Sequence, residues 1–289
     1  MTSTHLMGII LKGLWSVKNK ILILGNGYIA NKLQQQWGCP IYDRRILSYQ
    51  DAVDAYEKHK PNVLINCIGY VGARNVDDCE LDVEKCLLAN TMVPIWLGEL
   101  AFRQAFKLVH ISSGCIYHYD YKKNKPLTEK DVPDYYKLFY SRTKIYSEAV
   151  LDPLSKRCNV LITRIRVPLD DQPHPRNVLT KLIKYKSVID IPNSITYIPD
   201  FIKALEHLIK INAKGTFNCT NKGGLRYPLL MDIYKKHVPN FDYTLLPLKN
   251  LKLDRTNLVL SVSKLEKTGF KVRNIKDILK ECVENYVKY

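Results

Sequence analysis

Two short stretches carry the residue types that do chemistry. Residues 112–117 read Ser-Ser-Gly-Cys-Ile-Tyr, directly after the apolar run Phe-Lys-Leu-Val-His-Ile, and residues 140–144 read Tyr-Ser-Arg-Thr-Lys. Tyr140 and Lys144 stand four apart in a helical pattern, so their side chains share one face. A phenol, with an ordinary pKa of ~10, exchanges protons poorly near neutrality unless its ionised form is stabilised, and a neighbouring ammonium does that. The hydroxyl of Ser113, on a facing loop, would then fix the oxygen of a carbonyl. Such a set suits carbonyl reduction, and Cys115 has no part in it. A thiol, with an ordinary pKa of ~8.5, suits proton transfer at carbon once a cation stands beside it. The plainer role for a cysteine is that of a small buried hydrophobe.

The surrounding elements decide whether these groups can meet. Residues 20–24, KILIL, form a β-rich run that stops at Gly25. GNGYIA follows, giving Gly25-x-Gly27-x-x-Ala30 between a strand pattern and a helical one. Glycines there permit a tight turn and close approach to a pyrophosphate, whose charge sits at a helix N-terminus. The next strand is expected at 40–43, PIYD, ahead of Arg44 and Arg45; the acid that ends it would accept the ribose hydroxyls of NAD, whereas the two arginines pair with the extra phosphate of NADP and favour that cofactor. Helix 49–59, strand 62–67 (NVLINC), one long helix over 81–104 and strand 106–111 (FKLVHI) continue the alternation. Alternating strands and helices predict an α/β, Rossmann-type, doubly wound parallel sheet. Gly25, Gly69 and Ser113 fall after strand C-termini, where such sheets bind ligands.

From about residue 167 the alternation loosens. Helices are expected at 174–185, 199–212, within 225–238 and at 275–289, with a returning strand at 215–220. The expected division is a nucleotide-binding domain over 1–166, with 199–222 returning to it, and a smaller C-terminal substrate-binding lobe over 167–289.

Bulk properties narrow the class. The chain has 289 residues, 46% hydrophobic, and eight cysteines with no CxxC pair. That argues for a reducing, cytoplasmic setting with neither a disulfide framework nor a metal site. No run of ~18 apolar residues is present, so no membrane span is expected. Residues 1–20 have a short apolar patch interrupted by Lys12 and read as a leader into the fold. The net charge of +16 comes from lysines spread along the whole chain. No basic run has interleaved aromatics, which speaks against nucleic acid and leaves a field that attracts small anions.

The fingerprint turn, Ser113 and the Tyr140/Lys144 pair together resemble the extended short-chain dehydrogenase/reductase superfamily. Finer stretches are similar to one group within it: GYVGARNVDDCE (69–80), LLANTMVP (87–94), SSGCIYHYD (112–120), FYSRTK (139–144), TRIRVP (163–168), 175–198 and GTFNCTNKG (215–223). That group is the UDP-4-keto-6-deoxyglucose 3,5-epimerase/4-reductases, the reductive half of UDP-L-rhamnose synthesis. The likeness covers about residues 20–288 and extends, more distantly, to dTDP-4-dehydrorhamnose reductases and GDP-fucose synthases. The turn GNGYIA is tighter than the GxxGxxG-type turn usual for that group.

The resemblance implies roles. Tyr140 would donate the proton, Lys144 would support it and hold the nicotinamide ribose, and Ser113 would orient the substrate carbonyl. Asn90 would support the lysine and a proton-relay water. Asn26, Tyr28 and Ile29 with the two glycines, Cys67, Ile68 and Gly69, and Pro168 would line the cofactor, expected to be NADPH, with NADH second. Cys115 matches the cysteine that GDP-fucose synthases use in epimerisation, and Lys181 sits where the rhamnose epimerase/reductases keep a lysine across the pocket; His174 is a second candidate for that place. Val71, Arg74, Asn75, Arg176 and Asn177 are the substrate-binding candidates, the last two for a diphosphate or uracil. The implied activity is bifunctional, a 3,5-epimerase and an NADPH-dependent 4-reductase acting on a UDP-linked 4-keto-6-deoxy sugar, in a homodimer. Two alternatives remain open: a reductase alone, and a non-catalytic relative similar to the regulatory subunit of methionine adenosyltransferase.

Overall fold

A computed structural model of the chain describes residues 20–120, 125–247 and 256–289. The leader expected at the N-terminus lies outside them, apart from its last residue. The chain divides into two compact units. The first comprises Met1–Ser112, Tyr136–Thr163 and Lys210–Thr216; the second comprises Ser113–Tyr135, Arg164–Ile209 and Phe217–Tyr289.

The first unit is built on a six-stranded sheet. Its strands are β1 (Ile21–Leu24), β2 (Ile41–Tyr42), β3 (Val63–Asn66), β4 (Lys107–Ser113), β5 (Val160–Ile165) and, last in the sheet, Gly215–Asn218, which is β9 in chain order. The spatial order is β2-β1-β3-β4-β5-β9. Pairings of β1 with β2 and β3, and of β3 with β4, are parallel. Every residue of β1, β3 and β4 is buried, the mark of strands covered on both faces. The order reverses between β1 and β3, so the switch point lies where Gly25 and Cys67 follow those strands.

Helices α1 (Tyr28–Trp37) and α2 (Tyr49–His59) flank the sheet. The start of α2 is set by a capping box, in which the Ser48 hydroxyl accepts from the Asp51 amide and the Asp51 carboxylate accepts from the Ser48 amide. The single helix expected over 81–104 is instead three pieces: α3 (Val83–Leu87), a π-helical turn (Leu88–Met92) and α4 (Val93–Gln104). The long α5 (Phe139–Ser155) follows later in the chain. Leu22, Leu24, Leu64, Leu97, Leu100, Leu108, Leu151 and Ile162 belong to one apolar cluster that joins these helices to the sheet.

The second unit holds two small parallel pairs, β6 (Pro168–Leu169) with β8 (Thr196–Tyr197) and β7 (Ser187–Val188) with β10 (Thr244–Leu245). Its helices are α6 (Val178–Tyr185), α7 (Ile198–Lys210), α8 (Tyr227–His237), α9 (Ser263–Glu266) and α10 (Ile275–Tyr286). Leu179, Leu182, Leu230, Met231, Ile278, Leu279 and Val283 form its core. Helix α6 begins four residues later than the sequence pattern suggests, because Asn177 caps it by accepting from the Leu179 amide at 3.0 Å. Among the described residues no helix is long and apolar enough to cross a membrane.

Candidate active site

In the first unit the turn after β1 is shaped by contact, not by composition alone. Gly25 has φ +94°, and a Cβ there would stand 3.0 Å from Ile68 Cγ1 and 3.1 Å from its amide nitrogen. Only glycine accepts both conditions. Gly27 is the N-cap of α1 with no side-chain cap, and a Cβ at Gly27 would meet nothing within 4 Å. Asn26 and Gly27 are exposed, Tyr28 and Ile29 half-buried, so the first-turn N–H groups of α1 border open space. Arg44 and Arg45 follow β2 and are exposed.

At the end of β3, Cys67 and Ile68 are half-buried and Gly69 is exposed. Asn90 sits in the π turn, fully buried. Its Oδ1 accepts from the Tyr70 amide at 2.9 Å and its Nδ2 donates to the Tyr70 carbonyl at 2.8 Å, so one side chain clamps the loop after β3. The same Nδ2 reaches Thr143 Oγ1 at 3.3 Å. A Cβ on Gly69 would come within 3.3 Å of Asn90 Oδ1 and 3.8 Å of Lys144 Nζ. Gly69, Asn90 and Lys144 therefore converge.

Helix α5 carries Tyr140 and Lys144 one turn apart, 7% and 3% exposed. Lys144 Nζ donates to the Ile111 carbonyl at 3.5 Å. Burial pushes its ammonium down to about 8, while the Glu148 carboxylate acts in the opposite direction. Glu148, one further turn along, accepts from Ser112 Oγ at 2.5 Å. His110, on β4, faces Asn66, with 3.2 Å between its Nδ1 and the Asn66 Nδ2. Burial and then the charge of Lys144 hold its imidazole neutral, and its Nε2 has no hydrogen-bond partner.

Val71, Arg74 and Asn75 lie in the loop beyond. Arg74 forms a two-pronged ion pair with Asp78, at 2.7 and 3.2 Å, and the Asn75 side chain accepts from the Asp77 amide. A Cβ on Gly72 would fall 1.9 Å from the Asn75 carbonyl, so this loop closes only around glycine.

The second unit holds the other group. Ser113 Oγ accepts from the Cys115 amide at 3.1 Å, which brings hydroxyl and thiol onto one turn. Arg166, 2% exposed, donates from Nη1 to Cys115 Sγ at 3.1 Å and to the Gly114 carbonyl at 3.3 Å. A Cβ on Gly114 would stand 2.6 Å from Leu260 Cδ1 and 2.9 Å from Arg166 Cγ, so the missing side chain lets the arginine lie against the turn. Val167, next along, has φ +31°, an unusual conformation for a β-branched residue. Pro168 opens β6. Lys181 lies half-buried on α6, and its amide donates to the Asn177 carbonyl at 3.2 Å. The Asn177 side chain caps α6 and donates to the carbonyls of Asp170 and Gln172, at 2.8 and 2.9 Å. His174 Nδ1 accepts from the Arg176 amide at 3.0 Å.

The structure thus brings Gly69, Asn90 and Lys144 together in one unit and Ser113 and Cys115 together in the other. Sequence reasoning missed Glu148, Ser112, Glu80 and Arg166. Glu148 was the most accessible, since it continues the Tyr140–Lys144 spacing by four. Glu80 accepts from the Phe139 amide at 2.6 Å and pairs with Arg142 at 3.3 Å, so it tethers the start of α5 from far away in sequence.

Comparison with known proteins finds relatives along nearly the whole chain. The model of the RmlD substrate binding domain matches residues 20–288. An Arabidopsis thaliana bifunctional dTDP-4-dehydrorhamnose 3,5-epimerase/dTDP-4-dehydrorhamnose reductase is 29% identical over 81% of this chain and 80% of its own length. A trifunctional UDP-glucose 4,6-dehydratase/UDP-4-keto-6-deoxy-D-glucose 3,5-epimerase/UDP-4-keto-L-rhamnose-reductase of the same plant is 30% identical over 76% of this chain, which spans about a third (34%) of that relative's length. Among solved structures, a UDP-rhamnose synthase of Acanthamoeba polyphaga mimivirus superposes with a TM-score of 0.84 at 24% identity, over 92% of this chain and 98% of its own. A dTDP-4-dehydrorhamnose reductase of Bacillus anthracis in complex with NADP gives 0.77 at 18%, over 93% and 98%.

Proposed function

This chain belongs to the RmlD substrate binding domain family, and from that premise we propose that it is an NADPH-dependent 4-reductase of a UDP-linked 4-keto-6-deoxy sugar that also epimerises carbons 3 and 5. The observation that carries the reductase is the buried Lys144 ammonium one helical turn from Tyr140, beside Asn90 and the glycine that ends the β3 loop. A buried ammonium next to a phenol favours the phenolate and so eases proton release to a developing alkoxide.

The residues present fit a dinucleotide. The uncapped start of α1 accepts a pyrophosphate, the bare face of Gly27 leaves room for it, and Arg44 and Arg45 suit a 2′-phosphate. When bound, NADPH supplies the hydride for carbon 4. Lys144 would hold positive charge beside the phenol and hold the ribose, Tyr140 would give the proton to the carbonyl oxygen, and Ser113 would donate to that oxygen. The solved relative that holds NADP supports the cofactor reading, and the two plant relatives support the sugar-nucleotide class.

Epimerisation rests on Cys115. A ketone at carbon 4 stabilises the enolate formed when a proton leaves carbon 3 or 5, and an acid–base pair must take that proton and return one on the opposite face. Cys115 follows Ser113 by two residues and shares its turn through the 3.1 Å hydrogen bond, and Lys181 is the second group of this reading.

Proton NMR of the protein with UDP-4-keto-6-deoxyglucose in deuterated water, before and after adding NADPH, tests both halves. Deuterium at carbons 3 and 5 without cofactor, followed by UDP-rhamnose with it, is the expected result. NADPH oxidation on an epimerised ketone without any exchange would leave a reductase alone. Cys115→Ser should lose the exchange and keep reduction of the epimerised ketone.

A further inference from the structure

Arg166 is a buried cation that pairs with no acidic side chain among the described residues. It is 2% exposed, yet its hydrogen bonds run to neutral groups: the Gly114 carbonyl, Cys115 Sγ, Thr256 Oγ1 at 3.0 Å, the Thr256 carbonyl and Asn193 Oδ1 at 2.8 Å. Its Nε is buried with no hydrogen-bond partner among the described residues. Burying a guanidinium among neutral groups is costly unless a counter-charge arrives. The second unit nevertheless builds a fitted place for it. Gly114 is bare where the arginine stem passes, and Asn193 is itself held by Asn257 Oδ1 at 3.2 Å and faces Tyr227 Oη at 3.4 Å. A site that retains an unpaired charge at such cost points to a negative charge that forms there.

We infer that Arg166 is the positioning residue for Cys115, orienting its sulfur and supplying the positive charge that balances it during proton transfer at the sugar carbons. The inference rests on the proposed epimerase reading and goes beyond it. The step passes one proton between a sugar carbon and the sulfur and changes no oxidation state. The C–H bond at carbon 3 or 5 breaks, its electron pair passes to the carbonyl as an enolate, and the proton goes to sulfur. In the reverse sense sulfur gives the proton up. In either direction sulfur is anionic on one side of the step, and the guanidinium 3.1 Å away is the group placed to balance it. The phenol of Tyr227 also interacts with this sulfur, and burial holds it protonated. In this reading Lys181 is the second acid–base group, and the guanidinium is the thiol's counter-ion.

The test uses the full-length protein and two readouts, deuterium exchange at carbons 3 and 5 of UDP-4-keto-6-deoxyglucose and the pH profile of iodoacetamide labelling at Cys115, read by peptide mass spectrometry. Arg166→Met should slow exchange at least tenfold and move the labelling profile to higher pH. Arg166→Lys should recover part of both. Asn193→Asp, nearly isosteric, places a competing carboxylate beside Nη2 and should shift the profile the same way; it serves also if Arg166→Met does not fold. A labelling profile unchanged in Asn193→Asp and in either Arg166 variant that folds overturns the inference. Wild-type protein that exchanges no deuterium, yet shows the labelling shifts, would refute the epimerase reading and leave the Arg166–Cys115 coupling standing.

Discussion

Lys144 governs how reduction should depend on pH. Its ammonium must be charged to support Tyr140, and burial has already lowered it to about 8, with the Glu148 carboxylate opposing that shift. Turnover should therefore fall as pH rises through about 8. Glu148→Gln removes the opposing charge, so the fall should begin at lower pH, by about one unit if the two side chains interact as buried neighbours do. The kcat profile from pH 6 to 9, followed by NADPH absorbance, decides this; coincident profiles would mean that Glu148 serves only Ser112. The same shift has a stability side. Between about 8 and the ordinary 10.5 the unfolded chain holds the Lys144 proton and the native protein does not, so stability rises with pH across that window. Below about 8 both states are protonated and the cost of burying the charge is fully present. Tyr140 and Lys144 were legible because their spacing is local. Arg166 was not, since its partners Gly114, Asn193 and Thr256 come from three separate stretches that only folding assembles.

Elements were legible where their signals are local and illegible where a distant group changes them. Helix α2 agrees with its sequence pattern to the residue, because Ser48 and Asp51 cap it. The 81–104 run reads as one helix by periodicity, yet it carries a π turn at Leu88–Met92, where Asn90 clamps the Tyr70 backbone. Such turns are frequent at functional sites, and nothing in the apolar spacing reports them. Two consequences concern α5, which carries Tyr140. Its start depends on Glu80, so Glu80→Ala should lower kcat severalfold by loosening the first turn, whereas Glu80→Gln, which keeps an acceptor for the Phe139 amide, should stay near the parent. Steady-state kinetics with both variants separates them, and an unaffected Glu80→Ala would mean that the helix start needs no tether. Its flank depends on Gly98 of α4, where a Cβ would stand 2.5 Å from Leu151 Cδ2 and 3.2 Å from Leu154 Cδ1. Gly98→Val should cost about 1–3 kcal/mol by overpacking, and adding Leu151→Ala should return part of it. Urea unfolding of the two single variants and the double reads the coupling directly.

At the scale of the molecule, the alternation of strand and helix was enough to foresee the parallel sheet, because burial on both faces writes itself into the central strands β1, β3 and β4. The partition of the chain is harder to read from sequence, since the chain passes from one unit to the other five times, at residues 112/113, 135/136, 163/164, 209/210 and 216/217. A fragment ending at residue 166 would keep Ser113–Tyr135 without the rest of its unit and would lose Lys210–Thr216 from the other. Two physical penalties follow for it. Strand β5, with its first five residues buried, would become an open edge where β9 now pairs, and exposed apolar edges recruit other chains. Lys107, 4% exposed, would lose its hydrogen bonds to Asn212 Oδ1 at 3.3 Å and the Ala213 carbonyl at 2.7 Å, and would keep only Asn159. That leaves a buried ammonium short of acceptors, a cost of a few kcal/mol. Fragment 20–166 should therefore show no cooperative melting by circular dichroism and should elute as an aggregate on size exclusion, while the full chain melts cooperatively and gains stability from NADPH. A monomeric fragment that melts sharply and still binds NADPH would mean that the returning strand adds nothing the first 166 residues need. The nucleotide-binding half would then be a domain in its own right, and the five crossings a matter of packing alone.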